Sequence, residues 1–232
     1  MTYQLKATQS VEIKEMLTLT DRRFKMAKGT FLYQEGMTAN EVYIILSGKI
    51  QISKISADGR ELSLRICSTN DICGELSIFT HSPKYMLNAL VIDDAEIAAV
   101  KKDTLEKEML RNGSLAFEFM KWMSDHSRKT QTKFRDLVLN GKKGALYSTL
   151  IRMTNSYGVH LSDGILIDLP LTNQELANFC GTSRESTNRI LNELKRENII
   201  SVTKGKIIIH DLQFLKDEIG CEDCPIIYCN IE

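Results

Sequence analysis

Hydrophobic and polar positions alternate in short runs over the first hundred residues, which is the pattern of β-strands that bury one face. Gly48 separates two such runs and predicts a turn between them, and Asp58-Gly59 predicts a hairpin. Strands are expected over 41–48, 49–55, 62–67, 86–92 and 95–100. Several short strands at close spacing predict a sandwich, barrel or jelly roll.

From about Thr104 the hydrophobic period becomes that of an α-helix, which is expected to continue to about Leu139. Within it, side chains recur at alternating steps of three and four, as at the a and d positions of a coiled coil. This seam predicts a dimer interface made by Met120, Met123, Ser127, Thr130, Phe134 and Leu137. The alternative is an amphipathic helix that packs on its own β domain.

Gly141 and Gly144 interrupt the helical pattern and predict a hinge. A second helix is expected over 145–157. It should be followed by a turn over 158–164 and a short strand over 165–169.

Two capping boxes come next, and they predict two short helices. Thr172 with Glu175 begins the first box, and Thr182 with Glu185 begins the second. Gly181 between them predicts a tight turn, so the pair forms a helix-turn-helix. Strands over 199–203 and 206–210 are expected to form a wing beside it.

The start of the second of these helices carries polar side chains suited to double-stranded DNA. Arginine can bind guanine with two hydrogen bonds, and glutamate can accept one from cytosine. The predicted DNA-binding residues are Thr182, Ser183, Arg184, Glu185, Asn188 and Arg189. Two simpler interpretations stay open, namely that Glu185 only caps the helix and that Arg184 only contacts phosphate.

Composition limits the classes of protein that the chain can belong to. Its 232 residues are 43% hydrophobic, and 30 basic residues balance 30 acidic ones, so a basic DNA-binding surface must be local. The chain has neither a secretory signal nor a membrane-spanning stretch, so we expect a cytoplasmic protein without a membrane partner. It carries no common catalytic motif, so we expect no enzyme.

Cys221, Cys224 and Cys229 lie close together near the end of the chain. Three thiolates suit a soft metal or an iron–sulfur cluster, although such sites normally have four ligands. The spacing itself does not distinguish iron–sulfur from zinc. Other possible ligands are Cys67, Cys73, Cys180, His210, Glu222 and Asp223, of which the cysteines are better explained by core packing.

The order of these elements, together with two motifs, resembles the Crp/Fnr family of bacterial transcription regulators over nearly the whole chain. Segment 74–79, Gly-Glu-Leu-Ser-Ile-Phe, is similar to the family's β-roll motif, and segment 182–190 is similar to its recognition helix. The resemblance implies an α+β fold with an N-terminal β-roll of the jelly-roll, cyclic-nucleotide-binding type, a long dimerisation helix and a C-terminal winged helix-turn-helix. The expected divisions are 1–103, 104–140, 141–215 and a cysteine tail over 216–232.

The resemblance also identifies where the chain departs from the family. Cyclic-nucleotide binders carry an Arg-Ser pair that holds the ligand phosphate, and here Tyr85 and Met86 stand at those positions. Neither side chain supplies the positive charge that a phosphate needs. We therefore expect no cyclic nucleotide, and the β-roll would serve as a scaffold.

The cysteine tail resembles that of the Bacillus-type Fnr branch, which is oxygen-responsive and holds a C-terminal [4Fe-4S] cluster. This implies that Cys221, Cys224 and Cys229 are cluster ligands and that Asp136 is the non-cysteine ligand. From sequence alone Asp136 reads better as a surface carboxylate that pairs with Arg135 or Lys133.

The family further implies a homodimer that works with RNA polymerase and binds a palindrome of TGTGA-like half-sites through Arg184, Glu185 and Arg189. The expected function is an oxygen- or redox-responsive regulator that binds DNA when its cluster is intact. A zinc-tailed or thiol-based redox regulator, or a regulator without metal, is the alternative.

Overall fold

The computed structural model describes residues 11–81 and 83–232. Its elements are α1 (Val11–Thr18), β1 (Arg22–Met26), β2 (Phe31–Tyr33), β3 (Glu41–Ile55), β4 (Glu61–Cys67), β5 (Ile72–Cys73), β6 (Asn88–Lys101), α2 (Lys102–Arg111), α3 (Gly113–Leu139), α4 (Gly141–Tyr157), β7 (Gly158–Leu161), β8 (Gly164–Ile167), α5 (Asn173–Phe179), α6 (Arg184–Arg196), β9 (Ile200–Thr203), β10 (Lys206–Ile209) and α7 (Leu212–Glu218). The predicted α+β fold, with a β-roll before the long helix and a winged helix-turn-helix after it, is confirmed. None of the described helices is long and apolar enough to cross a bilayer.

The described residues form two compact units, and the first contains residues 11–57 and 64–124. Its sheet has the order β1-β6-β3-β4, with β2 paired to β6 and β5 paired to β3. Alternate residues of β3 enter different hydrophobic clusters, because successive side chains of a strand point to opposite faces. Val42 and Ile44 pack with side chains from α1, α2 and α3, whereas Tyr43 and Ile45 pack inside the roll.

β3 is one strand of 15 residues, so the turn predicted at Gly48 is wrong. Gly48 has a φ of +86°, and a Cβ atom there would lie 2.3 Å from the carbonyl oxygen of Asp94 on β6. The pairing register of β3 with β6 shifts on both sides of Gly48. The glycine therefore allows an irregularity within a long strand, where two close backbones leave no room for a side chain.

The single helix expected from about Thr104 is two helices, because the chain leaves helical geometry at Asn112. This residue has φ −111° and ψ 91° and separates α2 from α3. Its Oδ1 accepts a hydrogen bond from the amide of Leu115 at 3.2 Å, which satisfies a free donor at the start of α3. The long helix therefore begins at Gly113.

The second unit contains residues 58–63 and 125–231. The helical run is interrupted where predicted, because α3 ends at Leu139 and Gly141 has a φ of +59°. α4 begins at Gly141, four residues earlier than expected. A Cβ atom on Gly144 would lie 2.2 Å from the Cβ of Asn140, so close packing at the helix start explains that glycine.

A small antiparallel sheet in the order β7-β8-β10-β9 belongs to the same unit. The turn predicted over 158–164 is largely strand β7, which pairs with β8. β9 and β10 form the predicted wing. Lys204 and Gly205 turn the chain between them with φ values of +51° and +76°, as a two-residue hairpin requires.

Candidate functional site: a helix-turn-helix and a cysteine cavity

α5 begins with the predicted capping box. Thr172 Oγ1 accepts a hydrogen bond from the amide of Glu175 at 3.2 Å, and the Glu175 carboxylate accepts one from the amide of Thr172 at 2.7 Å. The next turn uses Gly181, with a φ of +58°. These contacts fix where α5 begins and how the chain turns toward α6.

α6 is capped by a different residue from the one predicted. Its N-cap is Ser183, whose Oγ accepts a hydrogen bond from the amide of Ser186 at 3.2 Å. The capping box predicted for Thr182 and Glu185 is therefore wrong, and the Thr182 hydroxyl is buried without a hydrogen-bond partner. Because Glu185 does not cap the helix, its carboxylate is left available for another contact.

The predicted DNA-reading side chains share one exposed face of α6. Ile190, Leu191 and Leu194 are buried on the opposite face. Asn188 is tied to the preceding helix, since its Oδ1 accepts a hydrogen bond from Asn173 Nδ2 at 3.0 Å. The exposed residues are Ser183, Arg184, Glu185, Asn188 and Arg189, and Thr182 is half-buried.

α3 leaves an apolar stripe exposed that overlaps the predicted dimer seam. Met123 packs partly against the core of the first unit, and Leu137 is half-buried. The other predicted seam residues, Met120, Ser127, Thr130 and Phe134, are exposed. The large exposed apolar side chains of the stripe are Phe117, Met120, Phe134 and Val138, which leaves its middle polar.

The three cysteines of the tail line one cavity of about 100 Å³. Asp136 of α3 lines the same cavity, although more than eighty residues of chain separate it from Cys221. Side chains of α3 and α4 complete the wall of the cavity, among them Arg135, Ser148 and Arg152. All four of the predicted metal ligands therefore lie around one cavity.

Asp136 is buried, with 6% of its surface exposed, and it is not a surface carboxylate. Its Oδ1 accepts hydrogen bonds from Arg135 Nε at 3.1 Å and Nη2 at 2.9 Å. Its Oδ2 accepts bonds from Ser148 Oγ and Arg152 Nη2, both at 2.7 Å. Burial would raise the pKa of Asp136, but the bonds from Arg152, Ser148 and Arg135 together lower the pKa below its ordinary value.

Arg152 joins this carboxylate to the tail. The residue is 1% exposed, and its Nη1 donates to the Tyr228 carbonyl oxygen at 3.0 Å. The following residue is also held by α4, because Asn155 Nδ2 donates to the Cys229 carbonyl oxygen at 2.6 Å. Sequence reasoning missed Arg152, although an arginine amid the largely apolar α4 was an available signal.

The tail also contacts α3 through Tyr228. Its hydroxyl donates to Asp125 Oδ1 at 3.1 Å, and the guanidinium of Arg128 lies 5.5 Å from the centre of its ring. Closer to the cavity, Arg135 pairs with Glu222 of the tail. Contacts on two helices thus hold the tail without any metal.

The donor set around the cavity consists of three soft thiols and one hard carboxylate, which suits iron or zinc. Burial raises the pKa of the Cys229 thiol, because a thiolate loses its hydration there. In the described part of the chain, no three His, Cys, Asp or Glu side chains are close enough to hold a single metal ion. The donors surround a space and do not converge on one point.

Of the remaining candidate ligands, only Glu222 lines this cavity. Cys67 and Cys73 are fully buried in the core of the roll. Cys180 is also buried, with its Sγ 3.5 Å from Thr149 Oγ1. His210 uses its ring nitrogens on the Asp163 carbonyl and the Ser201 hydroxyl. Glu222 lines the cavity, whereas Asp223 pairs with Lys216.

The pocket behind the Gly-Glu-Leu motif of the β-roll is filled by its own side chains. Tyr85 stacks on Tyr33 with ring centres 3.9 Å apart, and its hydroxyl donates to the Glu41 carbonyl oxygen at 2.8 Å. Only about 20 Å³ remains between the lining residues, whereas ligand pockets usually measure about 300–1,000 Å³.

The glutamate of the same motif is already neutralised. Glu75 accepts a hydrogen bond from Arg65 at 2.9 Å, and both residues are buried. Sequence reasoning missed this pair as well, although Arg65 stands between Leu64 and Ile66 in β4. Met86, in contrast, is 65% exposed and contributes little to the filling of the pocket.

Known proteins resemble the chain over nearly its whole length. Residues 145–218 match the Crp-like helix-turn-helix domain, and residues 23–112 match the cyclic nucleotide-binding domain. The chain is 54% identical to the anaerobic regulatory protein of Bacillus subtilis (strain 168), over 96% of this chain and 94% of the relative. It is 30% identical to the lactate racemization regulatory protein of Lactiplantibacillus plantarum, over 84% and 90% of the two chains. The structure of the c-di-GMP responsive global regulator CLP of Xanthomonas campestris aligns with a TM-score of 0.75 at 20% identity, over 86% and 98% of the two chains.

Proposed function

Because the chain belongs to the Crp/Fnr family of DNA-binding transcription regulators, we propose that it is a homodimeric, oxygen-responsive regulator whose sensor is the cysteine cavity. The prediction that it is not an enzyme is confirmed, since its relatives are transcription regulators. The observation that carries the proposal is that three cysteines and Asp136 line one cavity, while the pocket of the β-roll is closed.

A [4Fe-4S] cluster is the metal group that fits this cavity best. Each protein ligand of such a cluster binds a different iron, so the ligands surround the group. The three thiols and the carboxylate around the cavity supply four separate ligands of this kind, and the likeness to the anaerobic regulatory protein of Bacillus subtilis favours the cluster over zinc. Cys221, Cys224, Cys229 and Asp136 would hold the cluster, which would supply an oxygen-labile redox centre.

The position of the cavity explains how its state can reach the DNA-binding helices. Asp136 belongs to α3, the proposed dimer helix, and Arg152 belongs to α4, which leads into the winged helix-turn-helix. The tail lies against both helices through Tyr228 and Cys229. A change in the tail therefore acts on the two elements that set the spacing of recognition helices in a dimer.

We propose that α6 reads the bases of a palindrome with TGTGA-like half-sites. Arg184, Glu185 and Arg189 are exposed on one face, and Ser183 performs the capping that was predicted for Thr182. In a dimer the two copies of α6 would lie about 34–36 Å apart, one turn of DNA. RNA polymerase is the further partner that transcription regulation requires.

The dimer would form along the exposed stripe of α3. Phe117 and Met120 at one end, and Phe134 and Val138 at the other, offer apolar side chains at coiled-coil spacing. The polar middle around Ser127 makes the seam adjustable, because few apolar contacts there fix one arrangement. A dimer that can shift its helices is suited to a regulator with two DNA-binding states.

Cyclic nucleotides are not the effector in this proposal. A bound nucleotide would have to displace the Tyr33–Tyr85 stack, and its phosphate would meet neither an arginine at position 85 nor a hydroxyl at position 86. The β-roll is then a scaffold that carries α2 and α3.

Metal and sulfide analysis of protein purified without oxygen tests the sensor. We expect a brown protein that contains iron and acid-labile sulfide in equal amounts. A colourless protein with zinc alone would instead support the zinc-tailed regulator. A sample without metal whose DNA binding still responds to oxidants would support the thiol-based one.

A further inference from the structure

In this structure the carboxylate of Asp136 has no lone pair left for a metal. A carboxylate offers about four acceptor positions on its two oxygens. Arg135 occupies Oδ1 with two donors, at 3.1 and 2.9 Å. Ser148 and Arg152 occupy Oδ2, each at 2.7 Å. Asp136 can therefore bind a metal only after one of these donors leaves.

The two arginines differ in how firmly they are held. The Arg152 side chain is 2% exposed, and it also donates to Ser148 Oγ at 3.3 Å and to the Tyr228 carbonyl oxygen at 3.0 Å. If Asp136 turned away from it, a buried guanidinium would lose its counter-charge, which is strongly unfavourable. Arg152 is therefore the partner that stays.

Arg135 is much easier to displace. Its side chain is 34% exposed, so water can replace a lost hydrogen bond. It also has a second anion at hand, because its Nη1 already contacts Glu222, whose side chain is 65% exposed. Arg135 can leave Asp136 and keep both a partner and its hydration.

We propose that Arg135 and the metal of the cysteine cavity compete for Oδ1 of Asp136, while Arg152 holds Oδ2 in both states. The inference rests on the proposed function, because it requires a metal in this cavity. Both arginines are positioning residues that act through Asp136. Metal binding would release Arg135 to Glu222, so that binding of the metal strengthens a contact between α3 and the tail.

The test compares metal release from protein loaded without oxygen with iron(II) and sulfide, after excess EDTA is added. Arg135→Gln removes the competitor, so we expect iron to be released about tenfold more slowly than from the unmodified chain. This factor corresponds to the free energy of one hydrogen bond to a charged group. Arg135→Lys keeps the charge but loses the bidentate hydrogen bond, so its rate of iron release should lie between those of Arg135→Gln and the unmodified chain. Lys121→Gln, which removes an exposed cation from the same helix, should release iron at the unmodified rate.

Arg152→Lys should have the opposite effect and release iron faster, because the carboxylate loses its fixed partner. If that variant fails to fold, as judged by circular dichroism, the comparison of Arg135→Gln with Arg135→Lys and Lys121→Gln still tests the inference. Iron release from Arg135→Gln that equals or exceeds the unmodified rate would overturn the inference.

A double-mutant cycle separates competition from a general charge effect. In an Asp136→Asn background, Arg135→Gln should no longer change the release rate. An effect that survives in this background would mean that Arg135 acts directly on the thiolates, and the inference would be wrong.

The outcomes for the two proposals are distinguishable. The sulfide content of the unmodified protein decides whether the sensor is an iron–sulfur cluster. If the protein binds zinc without sulfide, the same ratios of release rates can be measured for zinc and still decide the role of Arg135. A protein that binds no metal at all would overturn both proposals.

Discussion

The β-roll pocket and the tail cavity differ in how much of their space is filled by side chains. In the roll, Tyr33 and Tyr85 stack, and about 20 Å³ remains beside the paired Arg65 and Glu75. In the tail, about 100 Å³ remains among thiols and a carboxylate. In the first region side chains fill most of the pocket, whereas the second keeps a space lined with three thiols and a carboxylate.

These two regions offer different places for an effector to bind. Matching a domain family locates the β-roll pocket, but the stacked rings of Tyr33 and Tyr85 leave only about 20 Å³ there. The tail has no counterpart in the matched domains, which end at residue 218. Its chemistry has to be derived from its own residues.

The largest expected effect comes from removal of one thiol. Cys224→Ser should abolish the visible absorbance and most of the iron of protein purified without oxygen, because an oxygen ligand replaces one of only three soft donors. Cys180→Ala serves as the control, since it removes a buried thiol that does not line the cavity and should leave the iron content unchanged. Equal iron in both variants would contradict the assignment of the sensor.

Opening the packed pocket is the next largest change. Tyr85→Ala should lower the free energy of unfolding by about 3–5 kcal/mol, the usual cost of deleting a buried aromatic side chain. Denaturant unfolding measures this loss. Met86→Ala, at an exposed neighbouring position, should stay within about 0.5 kcal/mol. If excess cyclic AMP raised the melting temperature of the unmodified chain, the β-roll would still bind its family's ligand.

A DNA-reading variant should leave both cavities intact. Arg184→Ala should cost about 1–3 kcal/mol of DNA binding at one base pair of each half-site, without a change in iron content. Binding to a panel of operators with single base changes measures this. A uniform loss across all operators would identify Arg184 as a phosphate contact.

The smallest expected effect concerns how the tail is held. Tyr228→Phe removes only the hydroxyl that donates to Asp125, so it should lower the free energy of unfolding by about 1 kcal/mol and leave the iron content unchanged. Asp125→Ala should cost a similar amount, and the double variant should cost little more than either. Additive losses would show that the two side chains do not interact.

Local periodicity and turn residues predicted the overall organisation because they record which faces are buried. The wing and the capping box at Thr172 follow from short-range chemistry of this kind. Short-range chemistry does not decide whether Thr182 or Ser183 is the N-cap of α6, since either hydroxyl could cap the helix. Gly48 looked like a turn because a close approach to another strand requires glycine just as a turn does.

Contacts between distant segments could not be predicted from local patterns. The pairing of Arg152 with Asp136 depends on how α3 packs against α4, and neither residue reveals it alone. The same limit explains why Asp136 reads as a surface carboxylate in the sequence. Only the family resemblance singled it out, and the structure places it with the three cysteines around one cavity.

The claim that the tail cavity controls DNA binding is tested most directly on one sample. Its affinity for a palindromic operator is measured without oxygen and again after exposure to air. Iron and sulfide are determined at both stages. We predict that the affinity for the operator falls by at least about tenfold as iron and sulfide are lost, which is within the usual range of coupling between two sites. The Cys224→Ser variant should bind as weakly as the air-exposed protein in both stages. Unchanged affinity after complete loss of iron would contradict the claim that the tail cavity controls DNA binding.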